Sequence, residues 1–288
     1  FIGNGAGANV TTGIKNVAVG RGALITGTGM NYNIAIGMDA LGNGGVSGDH
    51  NICIGLESGN ALTDGERNVA VGSYAGDAIT SGPSNTAVGY DALGACTTSS
   101  ANVAVGAWAG SSITTGDARL TAVGFRALEA VTSGTQNTAM GQYAANLIET
   151  GAYNTCMGAY AGNAITTGHA NICIGYGTDP SASDSTQQIV IGAGITGGED
   201  DQFTFGRASN LVQNEFDTDA NWTRTSDIRK KRDIKDDTLG LEFINNLRTV
   251  THKWKPSNEF PEEWNEYSEE NNMNLDAVMH GMIAQEVK

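Results

Sequence analysis

Large apolar residues recur along the first two thirds of the chain with a period of about seventeen residues. Each copy contains a five-residue unit, Asn-Val-Ala-Val-Gly at 102–106, in which large and small side chains alternate. The unit starts at Asn16, Asn33, Asn51, Asn68, Asn85, Asn102, Asn137, Asn154 and Asn171, and at Leu120 and Gln188 in two divergent copies. Period-two alternation predicts a short β-strand that ends at the glycine. Because so short a repeat cannot bury its own core, we expect the copies to stack as coils of a solenoid.

A second apolar position follows seven residues after the glycine in most copies, and Thr-Gly or Ser-Gly turns often come after it. Its members are Val10, Leu62, Ile79, Cys96, Ile113, Val131, Ile148 and Ile165. The pattern predicts a mainly β fold, a two-strand-per-coil β-roll of about twelve coils over residues 1–198. Uneven spacing of the large residues argues against a hexapeptide helix, and the lack of an aspartate column argues against a calcium-binding roll.

The alternation also predicts which side chains face inward. We expect the Val105 column inside the roll and the Ala104 column, with its Cys members, outside. Two or three large inward side chains per coil make a thin core, so a homotrimer is predicted, with Ala104 and Ala122 at the close contact. Two departures from the period, near His50 and Arg119, are expected to be turn insertions that leave the strands in register.

Composition narrows the function classes. The chain of 288 residues has 40 Gly and only 4 Pro, which suits a turn-dense repeat. Its net charge of −15 argues against nucleic-acid binding, and no apolar stretch indicates membrane insertion. Cys53, Cys96, Cys156 and Cys173 match no zinc spacing and are interpreted as small buried hydrophobes with free thiols, so no metal or cofactor is expected.

Three side-chain columns admit a structural and a functional interpretation. The Asn column is expected to cap turns and to form a ladder along the roll. The Thr-rich turns, such as Thr114-Thr115, resemble an ice-binding row only loosely, because other residues interrupt them. Aromatic residues just after the glycine either cover the roll's edge and interchain seams or stack on the sugars of a receptor. They are Tyr74, Tyr90, Trp108, Phe125, Tyr143 and Tyr160.

The repeat stops after Gly192, and the composition changes again near Ser226. Residues 199–225, which begin with an acidic run, are predicted to form a cap coil and a neck. Residues 226–288 hold nine of the 16 Lys and Arg and few glycines, so they are predicted to form a second domain.

Both parts resemble known families. The Asn-x-Ala-Ile-Gly-like unit resembles the heads of trimeric autotransporter adhesins and the repeat shafts of phage tail fibres. The block at 226–234, Ser-Asp-Ile-Arg-Lys-Lys-Arg-Asp-Ile, resembles the start of the self-cleaving intramolecular chaperone of endosialidase-type tailspikes. Similar blocks follow in order at 239–247, a predicted helix, at 250–255, a predicted strand, and at 281–287. The resemblance implies that 226–288 is the N-terminal part of an α+β chaperone domain.

That resemblance supplies candidate catalytic residues. In the family, the Ser of the Ser-Asp-x-Arg-x-Lys block is the nucleophile and the Lys is its partner, which correspond here to Ser226 and Lys231. Asp227 matches a supporting position, and the bond cut would join Thr225 to Ser226. A lysine can activate a serine when burial or neighbouring cations lower its pKa. From the residues alone, the same basic run is interpreted as the solvent-exposed start of a helix.

The combined features predict a structural, receptor-binding fibre of a phage tail. It would be a homotrimer in the virion, attached to a glycan or protein receptor on the host, with a chaperone that releases itself in a single turnover. The alternative is a trimeric adhesin, secreted or on a bacterial surface, that carries the same chaperone. A separate polysaccharide-degrading activity is disfavoured because the array lacks a column of paired carboxylates.

Overall fold

A computed structural model describes residues 1–114, 118–208, 210–216, 250–253, 255–260, 269–270, 276 and 279–281. The chain divides into two compact units, Phe1–Thr223 and Arg224–Lys288. The first unit is a β-solenoid, and the 17-residue repeat is its coil, as the sequence predicts.

One strand per coil builds a single thirteen-stranded sheet in which sequence order equals spatial order. The strands are β1 (Val17–Val19), β2 (Ile34–Ile36), β3 (Ile52–Ile54), β4 (Val69–Val71), β5 (Thr86–Val88), β6 (Val103–Val105), β7 (Thr121–Val123), β8 (Thr138–Met140), β9 (Thr155–Met157), β10 (Ile172–Ile174), β11 (Ile189–Ala193), β12 (Gln202–Arg207) and β13 (Asn210–Glu215). All neighbours from β1 to β12 pair in parallel.

The two departures from the period leave the register intact. Ile34 pairs with Ile52 and Val103 pairs with Thr121, each pair eighteen residues apart. The prediction of turn insertions is therefore confirmed. Consecutive members of the Val105 column also stack, as expected, because Val88 pairs with Val105 across β5 and β6.

The predicted direction of the side chains is wrong. Ala104 is 0% exposed, whereas Val105 is 36% exposed and Val103 is 38% exposed. The middle residue of each three-residue strand points into the coil, and its two larger neighbours point outward. The interior of the coil beside these strands has room only for Ala or Cys. The predicted alternation is therefore present, but the small residue faces inward and the large residues face outward.

The predicted second strand of each coil is also wrong among the residues described. Its apolar members, such as Ile79 and Ile113, are fully buried, but they lie in irregular backbone just after a turn. Neighbouring coils meet there through isolated backbone bonds, for example from Thr80 N to Thr97 O at 2.8 Å. A corner has no continuous ladder, so burial of an apolar residue at this position does not require a strand.

Large and small residues compensate each other at two interior positions of each coil, three residues apart. The pairs are Leu24 with Gly27, Leu41 with Gly44, Gly59 with Leu62, Gly76 with Ile79, Leu93 with Cys96, Gly110 with Ile113, Leu128 with Val131, Ala145 with Ile148, and Gly162 with Ile165. A Cβ added at Gly76 would lie 2.8 Å from Ile79 Cδ1. Each of these coils except the one with Leu128 and Val131 therefore holds a single large side chain in this layer, which keeps the cross-section nearly constant.

The Asn column forms a buried ladder, which confirms the prediction. Asn85 Oδ1 accepts a hydrogen bond from the backbone N of Asn102 at 3.0 Å, and Asn102 Oδ1 accepts one from Leu120 N at 3.0 Å. The Asn85 side chain also donates to the carbonyl of Ser99 at 2.9 Å. Each amide therefore satisfies backbone groups at the corner between coils.

The strand-ending glycine is required by geometry. Gly106 has φ of +135°, and a Cβ added there would lie 2.5 Å from the carbonyl oxygen of Gly124 in the next coil. Any side chain would collide with backbone, so this position accepts glycine alone.

The far end of the sheet closes with a hairpin. β12 continues the parallel order from β11, and β13 turns back antiparallel to it. The rings of Phe203, Phe205 and Phe216 lie together on this hairpin, with the centroids of Phe203 and Phe205 5.4 Å apart.

In the second unit the described residues include a two-stranded antiparallel sheet. β14 (Val250–His252) pairs with β15 (Met279–Gly281). A short 3-10 helix covers Ser257–Glu259. β14 lies within the strand predicted for 250–255, whereas the helix predicted for 239–247 lies outside the described residues.

Candidate functional site

The residues proposed to cut the chain lie outside the described part of the structure. This applies to the bond between Thr225 and Ser226 and to Asp227 and Lys231. Their mutual geometry therefore stays a prediction from sequence. The solenoid, in contrast, presents two well-defined outward surfaces.

The first surface, the outer strip, consists of the first and third residues of strands β1 to β11. Four of these positions are threonine, all the others are Val, Ile or Met, and none is charged. Val103, Val105, Met140 and Ile174 are each more than a third exposed. At about 4.8 Å per coil, the strip runs for about 50 Å. The third residue of every strand from β1 to β11 is apolar, and an uninterrupted apolar column of this length is typical of an interface.

The second surface, the aromatic ladder, lies on a corner of the coil just after the strand-ending glycine. It consists of Tyr74, Tyr90, Trp108, Phe125, Tyr143, Tyr160 and Tyr176. Neighbouring ring centroids are 5.2 to 6.0 Å apart, and all pairs except Tyr143 with Tyr160 meet edge to face. Such contacts stabilise the stack by about 0.5–1.5 kcal/mol each beyond area burial.

Six of the seven rungs were predicted from the sequence, and Tyr176, which is 64% exposed, was not. Arg126 was not predicted either; its guanidinium carbon lies 5.1 Å from the centroid of Trp108 and 5.4 Å from that of Phe125. Tyr176 and Arg126 follow a strand-ending glycine by one and two residues. Inspection of these two positions in every repeat would therefore have found them. Arg126 Nε is 3.6 Å from Glu129 Oε1 and has no hydrogen-bond partner.

A carboxyl group beside the ladder has a raised pKa. Burial, together with the nearby charges of Asp91 and Glu57, raises the pKa of Asp77 to about 6. Asp77 Oδ1 is buried without a hydrogen-bond partner. Burial also raises the pKa of Asp91. Acidic side chains therefore lie close together at this end of the ladder, and one buried carboxylate oxygen there has no hydrogen-bond partner.

The four cysteines are buried free thiols, as predicted. Burial raises the pKa of Cys53 to about 12 and that of Cys96 to about 11. A hydrogen bond with Cys173, and then burial, raise the pKa of Cys156. Buried thiols that resist ionisation are poor nucleophiles and poor metal ligands, so these residues act as packing groups.

The hydroxyl groups of the threonine turns form hydrogen bonds within the solenoid. Thr80 Oγ1 donates to Thr97 O at 3.1 Å, and Thr97 Oγ1 donates to Thr114 O at 2.7 Å. Hydroxyls that are bonded to the neighbouring coil are not free to order water, which disfavours the ice-binding interpretation.

The described residues contain neither a metal-binding cluster nor a membrane-spanning helix. These residues include no cluster of three His, Cys, Asp or Glu side chains that could hold a metal ion. Nor does any helix among them have the length and apolar character that crossing a membrane requires.

Comparison with known proteins finds a similarity in the second unit alone. No curated protein and no solved structure matches the chain. Residues 226–288 match the model of a peptidase family that is described as the chaperone of endosialidase. The part of the chain that carries Ser226 and Lys231 is thus similar to this chaperone family, and the solenoid before it fits a fibre-like protein.

Proposed function

We propose that this chain is the receptor-binding shaft of a homotrimeric phage tail fibre, which attaches the virion to its host. Its chaperone would gather three chains and then cut itself away before Ser226. Two observations together support the proposal. An apolar strip runs along the solenoid, and the residues after it are similar to a chaperone family associated with trimerisation.

The outer strip is the surface that three copies would share. Two columns of exposed Val, Ile and Met on a monomer leave apolar area in water at a cost of about 25 cal/mol per Å². Packing three strips around one axis would remove that area from water without burying a charge. The Ala104 column, which the sequence analysis assigned to this contact, already lies inside the coil.

The released chaperone explains how such a fibre could form. Three chains must find the same register along about 50 Å, and such nonlocal assembly is slow and prone to errors. A trimeriser at the C-terminal end shortens the search. Its removal would make dissociation hard to reverse, because unfolded chains would lack a nucleator.

The proposed cleavage uses residues of this chain alone. Lys231 takes the proton of Ser226, whose Oγ attacks the carbonyl carbon of Thr225. The bond between that carbon and the Ser226 nitrogen breaks, and the nitrogen takes up a proton. An ester then joins Thr225 to Ser226 Oγ. Water hydrolyses the ester, leaving a carboxylate on Thr225 and a free amine on Ser226.

The test of cleavage is expression of the chain together with any natural C-terminal continuation. The unmodified protein should yield two fragments that divide between Thr225 and Ser226, as mass spectrometry would show. Ser226→Ala and Lys231→Ala should each leave one uncut product. Lys230→Ala is the matched control, because it removes a neighbouring positive charge and should still cleave. Cleavage by both Ser226→Ala and Lys231→Ala would contradict the assignment of the pair.

A further inference from the structure

We propose that the aromatic ladder binds a neutral, linear polysaccharide chain that runs along the solenoid axis. This deepens the proposed function, since it gives the class of receptor that a fibre would attach to, and it rests on that function. The ladder stands on the turn after each strand-ending glycine, so it is separate from the outer strip that would join the three copies.

The repeat of the ladder suits a polymer of sugars. Each coil from Tyr74 to Tyr176 contributes one ring, and neighbouring centroids are 5.2 to 6.0 Å apart, about the length of one hexose unit in an extended chain. Aromatic faces stack on the apolar faces of pyranose rings. Tyr90 and Tyr176 are 47% and 64% exposed and the other five rungs are half-buried, so every rung has some ring area in contact with water.

Hydrogen-bonding groups without protein partners accompany the rings. Among the described residues, no hydrogen bond joins a phenol hydroxyl of the ladder to the protein. Sugar hydroxyls both donate and accept, so they would supply partners for these phenols.

Charge indicates a neutral rather than an acidic glycan. Glu57, Asp77 and Asp91 lie close together at one end of the ladder, and the chain has a net charge of −15. These carboxylates would repel a polyanionic glycan. Arg126, the cation on the ladder, already lies over Trp108 and beside Glu129.

The experiment uses the full chain on an array of neutral and acidic bacterial surface glycans, followed by titration calorimetry with the bound oligosaccharide. The double variant Tyr90→Asn/Phe125→Asn removes two rings at residues that have ordinary backbone angles. Tyr153→Asn is the matched control, because Tyr153 is 60% exposed and lies outside the ladder. We expect a neutral glycan to bind, the double variant to bind about tenfold more weakly, and the control to bind like the unmodified chain.

Light scattering on the same samples separates this proposal from the trimer. If assembled chains bind no neutral glycan, bind only acidic glycans, or bind equally well after loss of the two rings, the ladder is not a glycan site. If the double variant alone loses mass, the ladder is a seam between copies and the proposal fails. A folded, unmodified chain that stays monomeric contradicts the proposed fibre instead.

Discussion

At the scale of single residues, the buried asparagines set the position of each coil on the next. Asn102 is fully buried, and its Oδ1 is the hydrogen-bond acceptor for the backbone N of Leu120. Its Nδ2 donates to Asn85 Oδ1 and to Ser99 Oγ, each at 2.9 Å. A polar side chain with partners on neighbouring coils fixes their alignment, because any shift would leave buried amides unsatisfied.

Replacing Asn102 by Ala should destabilise the solenoid by about 1–3 kcal/mol, because the backbone N of Leu120 would be buried without an acceptor. Chemical denaturation of the full chain, followed by circular dichroism, measures the change. Asn43→Ala is the control, since Asn43 is exposed and its side chain donates one hydrogen bond, to Asn60. Equal losses for the two variants would contradict the role assigned to the ladder.

Asp77 should make stability depend on pH. Its folded-state pKa of about 6 is above the ordinary value of 3.8, so the folded state binds a proton that the unfolded state lacks between these values. Stability should therefore rise as the pH falls from 8 through 6, with the gain complete below about 4. Asp77→Asn should remove this dependence and be more stable than the unmodified chain at pH 8. Thermal melts across this range test it, with Asp184→Asn as an exposed control.

At the scale of elements, the coil is held to one cross-section by paired volumes rather than by a second strand. Gly76 accompanies Ile79, whereas Leu93 accompanies Cys96 in the next coil, and all the side chains concerned are fully buried. Adding a large residue to a coil that already holds one would overfill the layer.

Cys96→Ile should therefore destabilise the chain by about 1–3 kcal/mol, because Leu93 occupies the space. Leu93→Gly should destabilise it through the cavity it leaves. The double variant should recover most of both losses, since it reproduces the arrangement of Gly76 and Ile79, and Leu93 has a positive φ that glycine tolerates. A double-mutant cycle of unfolding free energies measures this, and simple additivity would contradict the compensation.

The sequence predicts the coil well because its signal is periodic. The repeat, the strand before Gly106, the buried Asn column and the in-register insertions all follow from spacing. Which side chains face the interior of the coil could not be predicted in the same way. Alternation with period two places Ala104 and Val105 on opposite sides of the strand, but it does not indicate which side faces the solvent. The usual expectation that larger residues are buried fails here, since the outer strip is itself suited to be buried between chains.

At the scale of the whole molecule, the two faces of one strand should respond differently to substitution. Ala104→Leu overfills the interior, so it should reduce the stability of the folded chain by about 1–3 kcal/mol. Val105→Lys places a charge on the outer strip, where water solvates it in a monomer but not in a trimer. It should leave the fold intact by circular dichroism and prevent association. Association of Val105→Lys at the level of the unmodified chain would exclude the outer strip as the contact.

The most direct test of the central claim is the molar mass of the folded, full-length fibre in solution, measured by light scattering over a range of concentrations. An uncut chain of 29.8 kDa should give three times its own mass, and a fibre that has released its chaperone should give three times the mass of the part before Ser226, with any natural continuation counted in each copy. The mass should stay constant on dilution, since each copy would bury the whole outer strip. A well-folded chain that has the mass of one copy would contradict the account.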